Sequence, residues 1–246
     1  MTVRILTGDC REVMEAEGPF DLIIADPPYA DTSLAWDRKV HGWLKVAARS
    51  LKPTGSIWVF GSMRSLIGSS SEIARARLRY AQDIVWEKHN GSGFAADRFK
   101  RVHEHAVQFY RADALWSGVF NDVQRGVRTG PPKSKKAARQ LPAHVNAIAD
   151  VPYDDDGSRI LRSVIMPPSI RGRTIHPTEK PSALLEVLVR TSCPVGGLVG
   201  DFFAGSGAAG EACAMTGRHY VGCEIDAGMA DKARGRLGSL LFGAAA

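Results

Sequence analysis

Two short segments carry residue types that could do chemistry together. Asp26-Pro27-Pro28-Tyr29 directly follows an apolar run at 21–25. Its two prolines fix φ and remove two N–H donors, so the tetrapeptide offers a carboxylate, carbonyls and a ring but few donors. Such a surface suits an amine whose hydrogens need acceptors. An exocyclic amine on a nucleobase is conjugated with its ring and is a poor nucleophile. It gains reactivity if its hydrogens are accepted while its lone pair rehybridises toward an electrophile, and the Asp26 carboxylate with the Pro27 carbonyl would supply that. Tyr29 would then offer a stacking face for a base drawn out of a duplex. Taken alone, the same four residues also read as a proline turn with an N-capping aspartate.

The second segment is Asp201-Phe202-Phe203-Ala204-Gly205-Ser206-Gly207-Ala208-Ala209-Gly210. Gly205 and Gly207 let the backbone turn tightly and approach a ligand closely, and the helix N-terminus beyond presents free N–H groups. Gly205, Gly207 and Gly210 satisfy the G-x-G-x-x-G dinucleotide fingerprint, and Glu224, at the end of the next strand, stands where an acidic group would bind ribose hydroxyls. The pairing points to a cofactor containing adenosine; a glycine turn that merely packs a helix is the plainer alternative. A nicotinamide dehydrogenase would share these glycines and Glu224, but would leave the Asp26 segment unexplained.

Both segments need strands that end beside one another. Short apolar runs alternate with helical patterns, as βαβ units do around a parallel sheet. Strands are expected at 3–6, 21–25, 56–60, 82–86, 106–110, 197–200 and 219–223, and helices at 10–16, 43–51, 64–78, 181–193, 208–215 and 229–241. Seven strands exceed one mononucleotide-binding half, so the two halves must share a sheet. Between 112 and 165 neither period persists and turn-forming residues cluster, which reads as an inserted module or a long functional loop system.

Charge is distributed to match. The chain carries a net +6, yet residues 98–139 alone carry +7 and the remainder −1. A basic segment of this kind suits phosphates, though charge alone fits a solvated loop equally well. Arg125, Arg128, Lys133, Lys135, Lys136 and Arg139 are the candidate phosphate contacts, which would set affinity rather than sequence choice. The hydrophobic fraction of 44% excludes global disorder, and no apolar run is long enough to span a bilayer. The N-terminus lacks a signal-peptide pattern, so a cytoplasmic location is expected. Four cysteines without close pairing read as small core residues, which argues against a zinc ribbon. His103-Glu104-His105 invites a metal reading but has no third ligand at suitable spacing, so it is taken as part of a strand and no metal is expected.

Taken together, Asp26-Pro27-Pro28-Tyr29, His176-Pro177-Thr178-Glu179-Lys180-Pro181, Asp201-Phe202-Phe203-Ala204-Gly205-Ser206-Gly207 and Tyr220-Val221-Gly222-Cys223-Glu224-Ile225-Asp226 resemble the motifs of the amino-group DNA methyltransferases. The order, catalytic segment first and cofactor segment last, resembles the β class of N6-adenine and N4-cytosine enzymes. The resemblance implies an α/β, seven-stranded S-adenosylmethionine-dependent methyltransferase fold of Rossmann-like type with permuted motif order. Residues 1–111 would form its catalytic half, 112–165 an inserted target-recognition region, and 166–246 the cofactor-binding half. It further implies S-adenosylmethionine as cofactor, duplex DNA as substrate and a homodimer. Asp26, Pro27 and Tyr29 would be catalytic. Asp201, Phe203, Gly205, Ser206, Gly207 and Lys180 would line the methyl donor, Glu224 its ribose, and Asp9 would lie close to the cofactor or the target base. Asp37, after Trp36, resembles a segment that the family places near the target base; a surface loop is the alternative, and Asp37 stays outside the expected site. Phe202 and Ala208-Ala209 depart from the family, which commonly has a proline and two threonines there.

Aspartate as first residue of the tetrapeptide resembles the adenine-N6 enzymes, where cytosine-N4 enzymes usually have serine. The alternatives are N4-cytosine methylation, RNA as substrate, a non-enzymatic DNA binder and the dehydrogenase already named.

Overall fold

A computed structural model describes residues 1–31, 34, 36–92, 96–127, 157–167, 175 and 179–242. In chain order the elements begin with β1 (Val3–Thr7), α1 (Cys10–Val13), β2 (Phe20–Ala25), α2 (Trp43–Arg49) and β3 (Leu51–Gly61). There follow α3 (Met63–Gly68), α4 (Ser70–Arg75), β4 (Leu78–Ser92), β5 (Arg101–Arg111), β6 (Arg125–Val127), β7 (Ser158–Ile160) and β8 (Val164–Ile165). The chain closes with α5 (Ser182–Ser192), β9 (Leu198–Asp201), α6 (Ala208–Thr216), β10 (His219–Glu224) and α7 (Ala227–Phe242). All seven expected strands form. An eighth, the two-residue β8, joins the sheet edge beside β4.

Met1–Asp122 and Ser163–Ala246 make one compact unit. Its sheet runs β1-β10-β9-β2-β3-β5-β4-β8. From β1 to β3 neighbouring strands are parallel, and β5 is antiparallel to both β3 and β4. A strand buried on both faces needs no polar alternation, and β2 has none: all six of its residues are buried. Leu22 and Ile24 pack on one side with Leu184 and Leu188 of α5 and Ala233 and Leu237 of α7, while Ile23 and Ala25 pack on the other with Trp43, Leu44 and Ala47 of α2. Trp58, from β3, is buried and its Nε1 donates to Ser192 Oγ at 2.8 Å, so the indole's one polar group is satisfied inside the core. All four cysteines are buried and unpaired.

Two expected helices are shorter than their patterns. The helix expected at 64–78 divides at Ser69, which closes α3 and opens α4, because Gly68 and three consecutive serines supply poor helix formers there. The helix expected at 10–16 stops at Val13 and passes into a single 3₁₀ turn over Glu15–Glu17. The second unit, Val123–Arg162, contributes in its described part an antiparallel pair, β6 with β7, with Arg125 Nε donating to Ser158 Oγ at 2.6 Å. No described helix is long and apolar enough to cross a membrane.

Candidate active site

The sheet order decides where the site falls. β2 and β9 are parallel neighbours with Ile24 opposite Asp201, and β9 is in turn paired with β10, Gly222 opposite Asp201. Three strands therefore end together, and the segments leaving them, from Asp26, Phe202 and Glu224, emerge side by side at one carboxyl edge. That edge, where the chain changes direction in the sheet, is where open α/β sheets bind ligands. A cleft of about 660 Å³ lies there, lined by residues that include Asp26, Pro27, Tyr29, Lys180, Asp201, Phe203, Gly205, Ser206 and Glu224. Its size suits a small molecule together with a base.

The cofactor end is built on a turn whose conformation requires glycine. Gly205 has φ +49 and Gly207 φ +76, both in the left-handed region. A Cβ on Gly205 would meet nothing within 4 Å, whereas one on Gly207 would stand 3.2 Å from the Cβ of Ala233. Gly205 thus opens on the cleft. Gly207 does not line it; its bare face lets α6 pack against α7. Glu224 ties the turn down: its carboxylate accepts from Gly205 N at 2.9 Å and from Asp226 N at 3.0 Å. Asp201 is buried beneath the turn, accepting from Phe203 N at 3.1 Å and from the Tyr220 hydroxyl at 3.0 Å. Burial pushes its carboxyl up to about 7, against the pull of those two donors. Ser206 is buried, with Arg236 Nη1 3.4 Å from its Oγ. The same arginine bridges Glu179, at 2.7 Å, and Glu211, which fastens the chain just before Lys180 to α6 and α7.

The other end of the cleft is a cluster of charges around Asp26. The Tyr29 hydroxyl donates to Asp26 Oδ1 at 2.7 Å, and Lys180 is ion-paired with Oδ2. Lys180 also stands 3.4 Å from Glu104 Oε2, and Lys88 is ion-paired with Glu104 Oε1. Burial alone would strip the proton from Lys180, but the Asp26 and Glu104 carboxylates outweigh it and hold the ammonium's pKa above its ordinary value. Burial would likewise keep Glu104 protonated, yet Lys180 and Lys88 bring its pKa below the ordinary value. Tyr29 is raised well above a free phenol, first by burial and then by Asp26 and Glu104, so it remains a donor.

Not every expected site residue joins this group. Asp9 caps α1 instead: its carboxylate accepts from Arg11 N at 2.8 Å and is ion-paired with the Arg11 guanidinium, whose hydrogen bonds hold its pKa below the ordinary value. It does not line the cleft. Lys180, expected beside the methyl donor, reaches Asp26 and not the glycine turn. Arg125 sits on β6 in the second unit, and Arg128, Lys133, Lys135, Lys136 and Arg139 lie outside the described residues, as do His176, Pro177 and Thr178. In the other direction, sequence reasoning passed over Lys88 and Glu104, and it left Asp37 aside. The Asp37 carboxylate accepts from Ala30 N at 2.8 Å and thereby holds the chain just beyond Tyr29. Ala208 and Ala209 do line the cleft, so methyl groups stand where the family commonly has hydroxyls.

The N6/N4 DNA methylase family matches residues 20–234. The chain belongs to that family. Type II methyltransferase M.HinfI of Haemophilus influenzae is 27% identical over 261 aligned residues, which cover 95% of this chain and 67% of that one. Among solved structures, the M1.HpyAVI–SAM complex superposes with a TM-score of 0.65 at 24% identity, covering 96% of this chain and all (100%) of that one. The PvuII cytosine-N4-specific DNA methyltransferase gives 0.64 at 17% identity, with 96% of this chain and 87% of that one covered. TTHA0409 of Thermus thermophilus, a DNA modification methylase, gives 0.62 at 20% identity, with 98% and 97% covered. These likenesses show the fold of DNA methyltransferases. Methylases of this family draw their methyl group from S-adenosylmethionine, and the described residues fit that molecule. Gly205 leaves room for it, Glu224 has lone pairs left for ribose hydroxyls, and Phe203, Leu185 and Met229 supply apolar lining.

Proposed function

We propose that this chain transfers the methyl group of S-adenosylmethionine to the exocyclic N6 amine of an adenine flipped out of duplex DNA. The observation that carries the reading is the placement of Asp26, an acceptor-only carboxylate, at the far end of the same cleft that begins at Gly205 and Glu224. Asp26 and the Pro27 carbonyl would accept the amine's two hydrogens. With those held, the nitrogen lone pair is freed from the ring and directed toward the donor. Tyr29, whose hydroxyl is tied to Asp26, would present its ring to the base. No covalent enzyme intermediate is required. Phe203, Gly205, Ser206 and Glu224 would hold the donor, with Asp201 supporting the turn from below. The segment 112–165 would recognise the target sequence, and its basic residues would contact phosphates. The choice of adenine over cytosine rests on aspartate at position 26. The cytosine N4 amine offers the same two hydrogens, and the cytosine-N4-specific relative of similar fold keeps that reading in view.

The charge of the cleft supports a cationic donor over a dinucleotide. Asp26, Asp31, Asp37, Glu104, Glu179, Asp201, Glu224 and Asp226 line it, against Lys88, Arg101 and Lys180. Such a field attracts a sulfonium and repels a pyrophosphate. In a thermal-shift titration, S-adenosylhomocysteine is expected to raise Tm and NAD to leave it unchanged. Stabilisation by NAD alone would overturn the reading.

A further inference from the structure

An ammonium held in a dry site must face a carboxylate at all times, because an unpaired charge cannot be tolerated there. Lys180 is 7% exposed, and its Nζ lies 5.7, 5.2 and 5.8 Å from the ring centroids of Tyr29, Phe60 and Trp86. These rings stand between the ammonium and solvent. Among the described residues, the carboxylates within salt-bridge distance of it are those of Asp26 and Glu104. In the structure the ammonium rests on Asp26, the group that the proposed chemistry needs for the target amine. Asp26 Oδ1 already accepts from Tyr29 and Oδ2 from Lys180. For a base amine to take a full share of Asp26, the ammonium must give way.

Glu104 is placed to receive it. It is 8% exposed on β5, opposite Trp86 of β4. Lys88 occupies its Oε1, while Oε2 faces Lys180 across 3.4 Å, longer than a hydrogen bond between two such charges. A shift of under ~1 Å would close that gap.

We propose that Glu104 is a positioning residue that receives Lys180 when the target amine claims Asp26. This rests on the amino-methylation reading. Without Glu104 the ammonium stays on Asp26, and its positive charge stands beside a nitrogen that itself becomes positive as it accepts the methyl group. The rate of transfer then falls, while DNA binding, made through phosphates elsewhere, does not.

The test is a double-mutant cycle on the full chain with Glu104→Gln, Lys180→Met and both together, using single-turnover methylation of duplex DNA and S-adenosylhomocysteine binding. Glu104→Gln is expected to lower the transfer rate about 10- to 100-fold, with KM for DNA changed less than about threefold. In the Lys180→Met background the same change is expected to alter the rate by less than about threefold, because there is no ammonium left to receive. A wild-type rate in Glu104→Gln, or a full loss repeated in the Lys180→Met background, would overturn the proposal. If Glu104→Gln alone does not fold, the two chains that lack Lys180 decide: equal rates support the proposal, and a further drop of about tenfold or more overturns it. Absence of any methylated nucleoside with the wild-type chain is a separate outcome, in which the amino-methylation reading falls and this proposal with it.

Discussion

Asp26→Asn lowers the rate of methyl transfer by about 10²- to 10³-fold while leaving the affinity for S-adenosylhomocysteine within a small factor. The two ends of the cleft explain the split. Donor contacts come from the segments after β9 and β10, anchored by Asp201 and Glu224, and Asp26 takes no part in that turn. The amide keeps one acceptor oxygen but loses the charge that opposes the positive nitrogen formed in the reaction. It also replaces an acceptor with an N–H₂ group aimed where the Lys180 ammonium or the base must sit. Single-turnover kinetics beside calorimetric binding of S-adenosylhomocysteine measures both quantities. Full activity in the asparagine variant would remove the carboxylate from the chemistry.

Asp201→Asn makes the chain more stable at pH 8, by on the order of 3 kcal/mol, and the gain disappears by about pH 4. The native carboxyl titrates at about 7 because burial disfavours its charged form; in the unfolded chain it titrates at about 3.9. Between those values the native state holds a proton that the unfolded state has lost. Stability contributed by this group is therefore fully present below about pH 4 and falls as pH rises to about 7, remaining low above it. The amide carries no charge and so removes the slope. It keeps the acceptor for Phe203 N, and the Tyr220 hydroxyl can accept from the new N–H₂. Denaturant midpoints of the two chains at pH 4.5 and pH 8 test this. An equal difference at both values would mean that the buried carboxyl is already ionised throughout the range.

Much of the fold and part of the site could be read in advance because the signals are local. Leu22-Ile23-Ile24 marks a strand buried on both faces, and the polar residues beginning at Asp26 mark its end. Gly205 and Glu224 lie one βαβ step apart, so the same local rule that places one places the other. Asp26 and Gly205 share a cleft because both leave neighbouring strands, an inference that motif order supports before any register is known. The misplaced residues depend on longer-range facts. Asp9 turns to Arg11, two residues away, as soon as it caps α1. The bare face of Gly207 is used by Ala233 on a helix that follows much later. Lys180 finds its partner 154 residues back along the chain. Glu104 left one readable trace. On β5 it shares an inward face with Ala106 and Gln108, where an unpaired charge would be costly, so a partner was required. Which partners could supply it depended on the β4–β5 register, and that is set by packing along the whole hairpin.

The central claim is tested most directly by incubating the chain with unmethylated duplex DNA and S-adenosylmethionine, digesting the DNA to nucleosides and identifying the product by mass spectrometry. The account predicts N6-methyldeoxyadenosine, formed by the wild-type chain and reduced about 10²- to 10³-fold with Asp26→Asn. N4-methyldeoxycytidine would keep the amine chemistry but contradict the choice of base read from Asp26. No modified nucleoside, from a chain that binds S-adenosylhomocysteine, would contradict the account itself.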